Sequence, residues 1–75
     1  MELNEFTRRF ADCFSNETAP KITPATHFRM LEEWGSMMAL IVIAMIDSDY
    51  AKTINSEDLT AASTVSELFE IVKSK

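Results

Sequence analysis

Apolar residues recur at helical steps in four places along this chain, and the spacing between those places predicts the architecture. Leu3, Phe6, Phe10 and then Cys13 or Phe14 follow i, i+3 and i+4 steps, with Glu5, Arg8, Arg9 and Asp12 on the other side. That pattern predicts an amphipathic first helix. It stops at Ser15 and Asn16, and polar residues with Pro20 and Pro24 follow. No regular periodicity resumes before Ser36, which leaves a connection of about twenty residues, long for a helical hairpin. Ile22, Phe28, Met30, Leu31 and Trp34 are apolar anchors within it. They predict a tethered loop with one helical turn after Thr23 and Pro24, and long tethered loops commonly place something at their end.

The second helix is expected over residues 37–50. Leu40, Ile41, Val42 and Ile43 alone would suit a strand, but the apolar run extends over ten residues, 37–46, and is flanked by Met and Ala. Gly35 and Ser36 before it are a start signal, because a Ser oxygen accepts from an unpaired first-turn N–H. A shorter third helix is expected over residues 57–62, with Asn55 or Ser56 as its cap. Thr64, Val65, Ser66 and Glu67 form a capping box that opens the fourth, Thr64 bonding forward and Glu67 reaching back. Val65, Leu68, Phe69 and Val72 then make one apolar stripe, and Lys73 and Lys75 sit where the negative end of the helix dipole favours them. The fold class is therefore all-α, a bundle of three main helices and one short helix in a single domain, residues 1–75.

On a helical wheel of the second helix, Ala39, Val42, Ile43, Ile46 and Tyr50 share the side assigned to the core. Met37, Ile41, Ala44 and Ser48 lie opposite, flanked by Leu40 and Met45. A helix apolar all round is either buried or bound to something. The outer stripe is expected to dock apolar partner surface, with Asp47 and Asp49 as peripheral charges, or to be covered by the first loop or a dimer mate.

Composition narrows the function classes. Residues 30–60 hold six acids against one base, Lys52, which accounts for the whole net charge of −5. Such a field repels nucleic acid phosphates and attracts basic protein partners. The ten-residue apolar run falls short of the ~20 residues a membrane span needs, and the acidic start lacks a leader's apolar core, so cytoplasmic residence is expected. A single Cys13 allows no internal disulfide and reads as a small apolar core residue. His27, the one histidine, lies in a polar loop without a nucleophile's partners, and one Gly cannot build a phosphate loop. Glu32 and Glu33 read as a solvated or first-turn-facing pair. No catalytic constellation and no metal set emerges, so the chain is not expected to be an enzyme.

What remains is Ser36 at the mouth of a helix, where free N–H groups and partial positive charge tolerate a phosphate. By position it is either an N-cap or a modification site. From residue 30 to residue 72 the sequence resembles the acyl carrier proteins, and the first helix with its loop extends the likeness over nearly the whole chain. Those proteins carry a modified Ser in a short Asp-Ser-Leu type motif at the start of the second helix; the triplet here is Gly35, Ser36, Met37. Tyr50 closes the helix where the family has an aromatic, Ile54 follows, and Thr64 and Val65 match the Thr-Val opening of the last helix.

The resemblance implies an acyl-carrier-like four-helix bundle. It also implies that a phosphopantetheinyl transferase, using Mg²⁺ and coenzyme A, would attach 4'-phosphopantetheine to Ser36. The arm's thiol would then carry an acyl or aminoacyl group as a thioester between loading and transferring enzymes. The family usually has Asp where this chain has Gly35. That departure supports an alternative, a carrier-fold interaction module that is never modified.

Overall fold

The computed structural model describes residues 1–75 as an all-helical chain with no strand. Helix α1 spans Leu3–Ala11, α2 Ser36–Tyr50, α3 Ser56–Ala61 and α4 Val65–Lys73, with short 3₁₀ turns at Ala19–Lys21 and Phe28–Met30. The four helices and the long first connection match the expected pattern, with differences at the ends.

Helix α1 is shorter than its apolar spacing suggests. Its N-terminus is capped by the Glu2 carboxylate, which accepts from Glu5 N at 3.3 Å. After Asp12 the bonding tightens to i→i−3, with Cys13 N reaching Phe10 O at 3.1 Å and Phe14 N reaching Ala11 O at 2.9 Å. Phe14 therefore leaves the helix yet stays buried, and Cys13 is half-buried against the core.

The core is a cluster of 15 buried apolar residues threaded by a series of edge-on and tilted aromatic contacts. Phe69 of α4 meets Phe6 of α1 edge-on at 5.5 Å, and Phe6 lies 6.4 Å from Phe10. Phe10 in turn meets Phe28 of the loop at 5.4 Å, and Phe28 meets Trp34 at 5.0 Å. Each such pair adds about 0.5–1.5 kcal/mol beyond simple burial. The series runs from the last helix to the residue before Gly35, so core packing and the start of α2 are one continuous contact.

The loop is also tied to α4 by its backbone. Thr26 O accepts from Val65 N at 3.1 Å and Pro24 O from Ser66 N at 2.9 Å, satisfying two first-turn donors that a helix leaves open. Arg29 Nε donates to Ala62 O at 3.0 Å. The turn after Thr23 is present, with Thr26 N bonded to Thr23 O at 3.0 Å. Ile22 and Phe28 are buried and Leu31 and Trp34 half-buried, but Met30 is not an anchor: it is 84% exposed. Around a 3₁₀ turn positions i and i+3 eclipse, so Phe28 and Leu31 share the inward side and Met30 points away.

Helix α3 begins one residue before its expected start. Asn55 is its cap, with Asp58 N donating to Asn55 Oδ1 at 2.9 Å and Asn55 N to Asp58 Oδ2 at 3.1 Å. Thr64 caps α4 as expected, accepting from Glu67 N at 3.1 Å. The Glu67 carboxylate reaches back one residue further than in the usual box, to Ser63 N. Lys75 does not face its own helix end; its ammonium lies 3.2 Å from Asp58 and ties the C-terminus to α3.

Helix α2 ends at Ala51, whose φ of 55° places an alanine in the left-handed region while its N–H bonds Asp47 O at 3.0 Å. A Cβ is costly there and a glycine is not. Ala51→Gly is expected to raise stability by about 0.5–1 kcal/mol, after the entropy a glycine adds to the unfolded chain. The check is the midpoint of thermal or urea unfolding; a lower midpoint would contradict the strain at this cap.

Candidate functional site

The start of α2 is held by two consecutive residues that point in different directions. Trp34 N bonds Leu31 O at 3.0 Å, and its ring packs on Phe28 and on Phe14, the latter at 6.4 Å. Glu33 turns instead to the end of α1. Its carboxylate accepts from Ser15 N at 3.1 Å, from Ser15 Oγ and from Thr18 Oγ1. These bonds, the Ser15 hydroxyl foremost, hold the Glu33 carboxyl below the usual carboxylate range. Glu32 is exposed, so the two glutamates are not a pair. No spacing rule could have found the Glu33 contacts, because Ser15 lies 18 residues earlier.

Gly35, not Ser36, occupies the N-cap position of α2. Its backbone is extended, with φ −175° and ψ −173°, and a Cβ placed on it would meet nothing within 4 Å. Ser36 is the first helical residue, exposed, and its Oγ makes no hydrogen bond. The expectation that this hydroxyl caps the helix is therefore corrected: the turn begins one residue earlier, and Ser36 Oγ is left free. The first backbone bond of α2 is Ala39 N to Gly35 O at 3.0 Å, so the N–H groups of Ser36, Met37 and Met38 precede the ladder. These open donors and the positive end of the helix dipole, about half a charge, lie at the same helix start as the free hydroxyl.

The outer face of α2 is open. Met37 is 74% exposed, Leu40 67% and Ile41 40%, and Ala44, Asp47 and Ser48 are exposed as well. Cover by the first loop is thereby ruled out. Met45 departs from the expected stripe, being half-buried against the core. Val42 and Ile46 are the deeply buried members of the inner face, and Ala39, Ile43 and Tyr50 are half-buried against the core. Asp49 is tied to Arg9 at 3.3 Å, whereas Asp47 forms no ion pair.

Elsewhere the chemistry is sparse. His27 is exposed beside Arg29 and Ser63 along a shallow groove. The Cys13 thiol donates to Arg9 O at 3.6 Å, and burial pushes it up, away from the reactive thiolate. An open groove lined by Glu5, Arg9, Asp49, Tyr50 and Lys52 lies at the far end of α2, about 20 Å from Ser36 by helical rise. The Tyr50 hydroxyl nearby is buried without a partner, and burial raises its pKa. No group of three or more His, Cys, Asp or Glu side chains is arranged to hold a metal ion, and no helix is long and apolar enough to cross a membrane.

The chain matches no protein-family model, no curated protein and no solved structure.

The Glu33 contacts carry a pH signature. A carboxyl held below its unfolded value contributes its full stability above the ordinary carboxylate range and loses it as pH falls through the folded value. Wild type is expected to exceed Glu33→Gln in urea midpoint above about pH 5, the two converging as acid protonates Glu33. A gap that stays constant down to the acid limit of folding would count against this.

Proposed function

We propose that this chain is an acyl-carrier-type protein and that Ser36 carries a 4'-phosphopantetheine arm. The observation that supports this best is the state of the hydroxyl: exposed, free of hydrogen bonds, and at the first residue of a helix whose leading N–H groups have no backbone acceptor. A phosphodiester there would sit against donors and the positive end of α2 without needing a basic side chain. Open space around Gly35 leaves room for the arm to depart. A phosphopantetheinyl transferase, with Mg²⁺ and coenzyme A, would join Ser36 Oγ to the pantetheine-side phosphorus as the coenzyme's pyrophosphate bond breaks, adenosine 3',5'-bisphosphate departs and the hydroxyl proton leaves to base. The arm, once attached, supplies the thiol that holds an acyl or aminoacyl group as a thioester. This chain's own residues present the arm: Ser36 bears it, α2 orients it, and the outer face of α2 meets the loading and transferring enzymes.

That face is the second part of the reading. Met37, Ile41 and Ala44, flanked by Leu40 and the half-buried Met45, offer apolar contact, and Asp47 supplies a free charge at its end. The family typically shows an acidic surface at this place, so partners of this chain would pair an apolar ridge with peripheral basic residues. Cytoplasmic residence is part of the same proposal. The alternative, an unmodified interaction module built on the same fold, is favoured by Gly35 standing where the family has Asp.

Intact mass after incubation with coenzyme A, Mg²⁺ and a broad-specificity transferase separates the two. Wild type is expected to gain the mass of one phosphopantetheinyl group, and Ser36→Ala none. Gly35→Asp meets no clash and adds a cap worth a few tenths of a kcal/mol over glycine, so it should fold and load at least as fast. No gain in either wild type or Gly35→Asp, with any transferase tried, would favour the interaction module. Ile41→Glu, a change at a 40% exposed position, is expected to leave the fold intact and slow transfer by partner enzymes. Unchanged transfer rates in that variant would defeat the docking assignment.

A further inference from the structure

We infer that Glu33 is the positioning residue for Ser36, fixing where the hydroxyl stands relative to α1 through its bonds to Ser15 and Thr18; the functional meaning of this rests on the carrier reading of Ser36.

The first turn of α2 holds to the body of the protein only through Met38 and Ala39, both half-buried against the core. Ser36 and Met37 are exposed, and the first deeply buried side chain of the helix is Val42. Immediately upstream, Gly35 is extended and has no neighbour within 4 Å of where a side chain would begin. The placement of Ser36 therefore depends on Met38 and Ala39 on its downstream side and on the two residues before Gly35 on its upstream side. Trp34 holds the inner side through Phe28 and Phe14. Glu33 holds the outer side, and its carboxylate takes the backbone N–H and hydroxyl of Ser15 and the hydroxyl of Thr18.

The Glu33 bonds have the stronger bearing on position. A ring in a packed cluster tolerates sliding, whereas a carboxylate meeting three donors fixes both distance and direction. Its donors are themselves ordered: Ser15 O accepts from Thr18 N at 3.1 Å and from Ala19 N at 2.9 Å, closing a turn at the end of the α1 segment. No cation pairs with Glu33, so its hold is directional hydrogen bonding rather than attraction to a charge. Removing the carboxylate leaves the helix start to apolar packing alone, through Leu31 and Trp34 upstream and the half-buried Met38 and Ala39 within its first turn.

The test compares full-length wild type, Glu33→Ala and Glu33→Gln by amide hydrogen exchange, Trp34 fluorescence and transferase loading kinetics. The Trp34 and Ala39 amides, bonded to Leu31 O and Gly35 O, report on the segment; Leu68 and Val72 of α4 report on global stability. In Glu33→Ala the first two are expected to exchange about tenfold faster with the α4 amides unchanged, and Trp34 emission to shift red. Glu33→Gln, which keeps an acceptor for Ser15 N–H, should fall between. The KM of the carrier for the transferase is expected to rise about threefold or more in Glu33→Ala with kcat nearly unchanged, since the hydroxyl is misplaced but not altered. Unchanged exchange, acceleration spread equally to α4, or unchanged loading kinetics in Glu33→Ala would each overturn the inference. A wild type that takes no arm would defeat the carrier reading alone, and exchange with fluorescence would still decide whether Glu33 holds the segment.

Discussion

The packing of Phe10 is the contact on which the arrangement depends. Its ring lies between Phe6, Phe14 and Phe28, so it joins α1 to the turn that follows it and to the long loop. Through Phe6 it reaches Phe69 on α4 and Tyr50 at the end of α2. A chain of this size has one core and no reserve of buried surface. Here that core is not a set of helix faces pressed together with a loop draped outside. The loop contributes Ile22 and Phe28 to the interior, and Phe28 is as fully buried as any helix residue. The long connection is therefore part of the fold's stability rather than an appendage to it.

This explains how a helix with an uneven environment stays in place. Helix α2 is apolar on every side, yet only Val42 and Ile46 are deeply buried. Hydrophobic burial alone would not choose which face turns inward. The choice is made by what flanks the helix: Trp34 seated on Phe28 and Phe14 at one end, and Tyr50 against Phe6 with Arg9 over its ring at 6.0 Å at the other. The rotation that results leaves Met37, Leu40 and Ile41 outside and brings Met45 partly in.

Much of this was readable from the chain. The four helical segments follow from apolar spacing and from the caps at Asn55 and Thr64, because both signals are local and a short window contains them. The helical wheel divided α2 into the two faces observed, Met45 excepted, while the flanking contacts set which of them turns inward. What the spacing could not reveal was long-range or geometric. The Glu33 bonds join residues far apart in sequence, the exposure of Met30 depends on the handedness of a single 3₁₀ turn, and Gly35 rather than Ser36 opens α2 because the extended residue before a helix need not be the one with a polar side chain. That last displacement, by one residue, changes the character of the serine from a structural cap to a hydroxyl without an internal duty.

The tether between the loop and α4 is made by the carbonyls of Pro24 and Thr26 and by the carbonyl of Ala62 receiving Arg29. Main-chain acceptors are the same whatever side chain sits on them, so most of this attachment is indifferent to residue identity at those positions. The carbonyl bonds at Pro24 and Thr26 thus hold the path over the fourth helix without help from side chains, whereas Ile22, Phe28, Glu33 and Trp34 hold the rest of the segment by side chains that no other residue type would replace contact for contact.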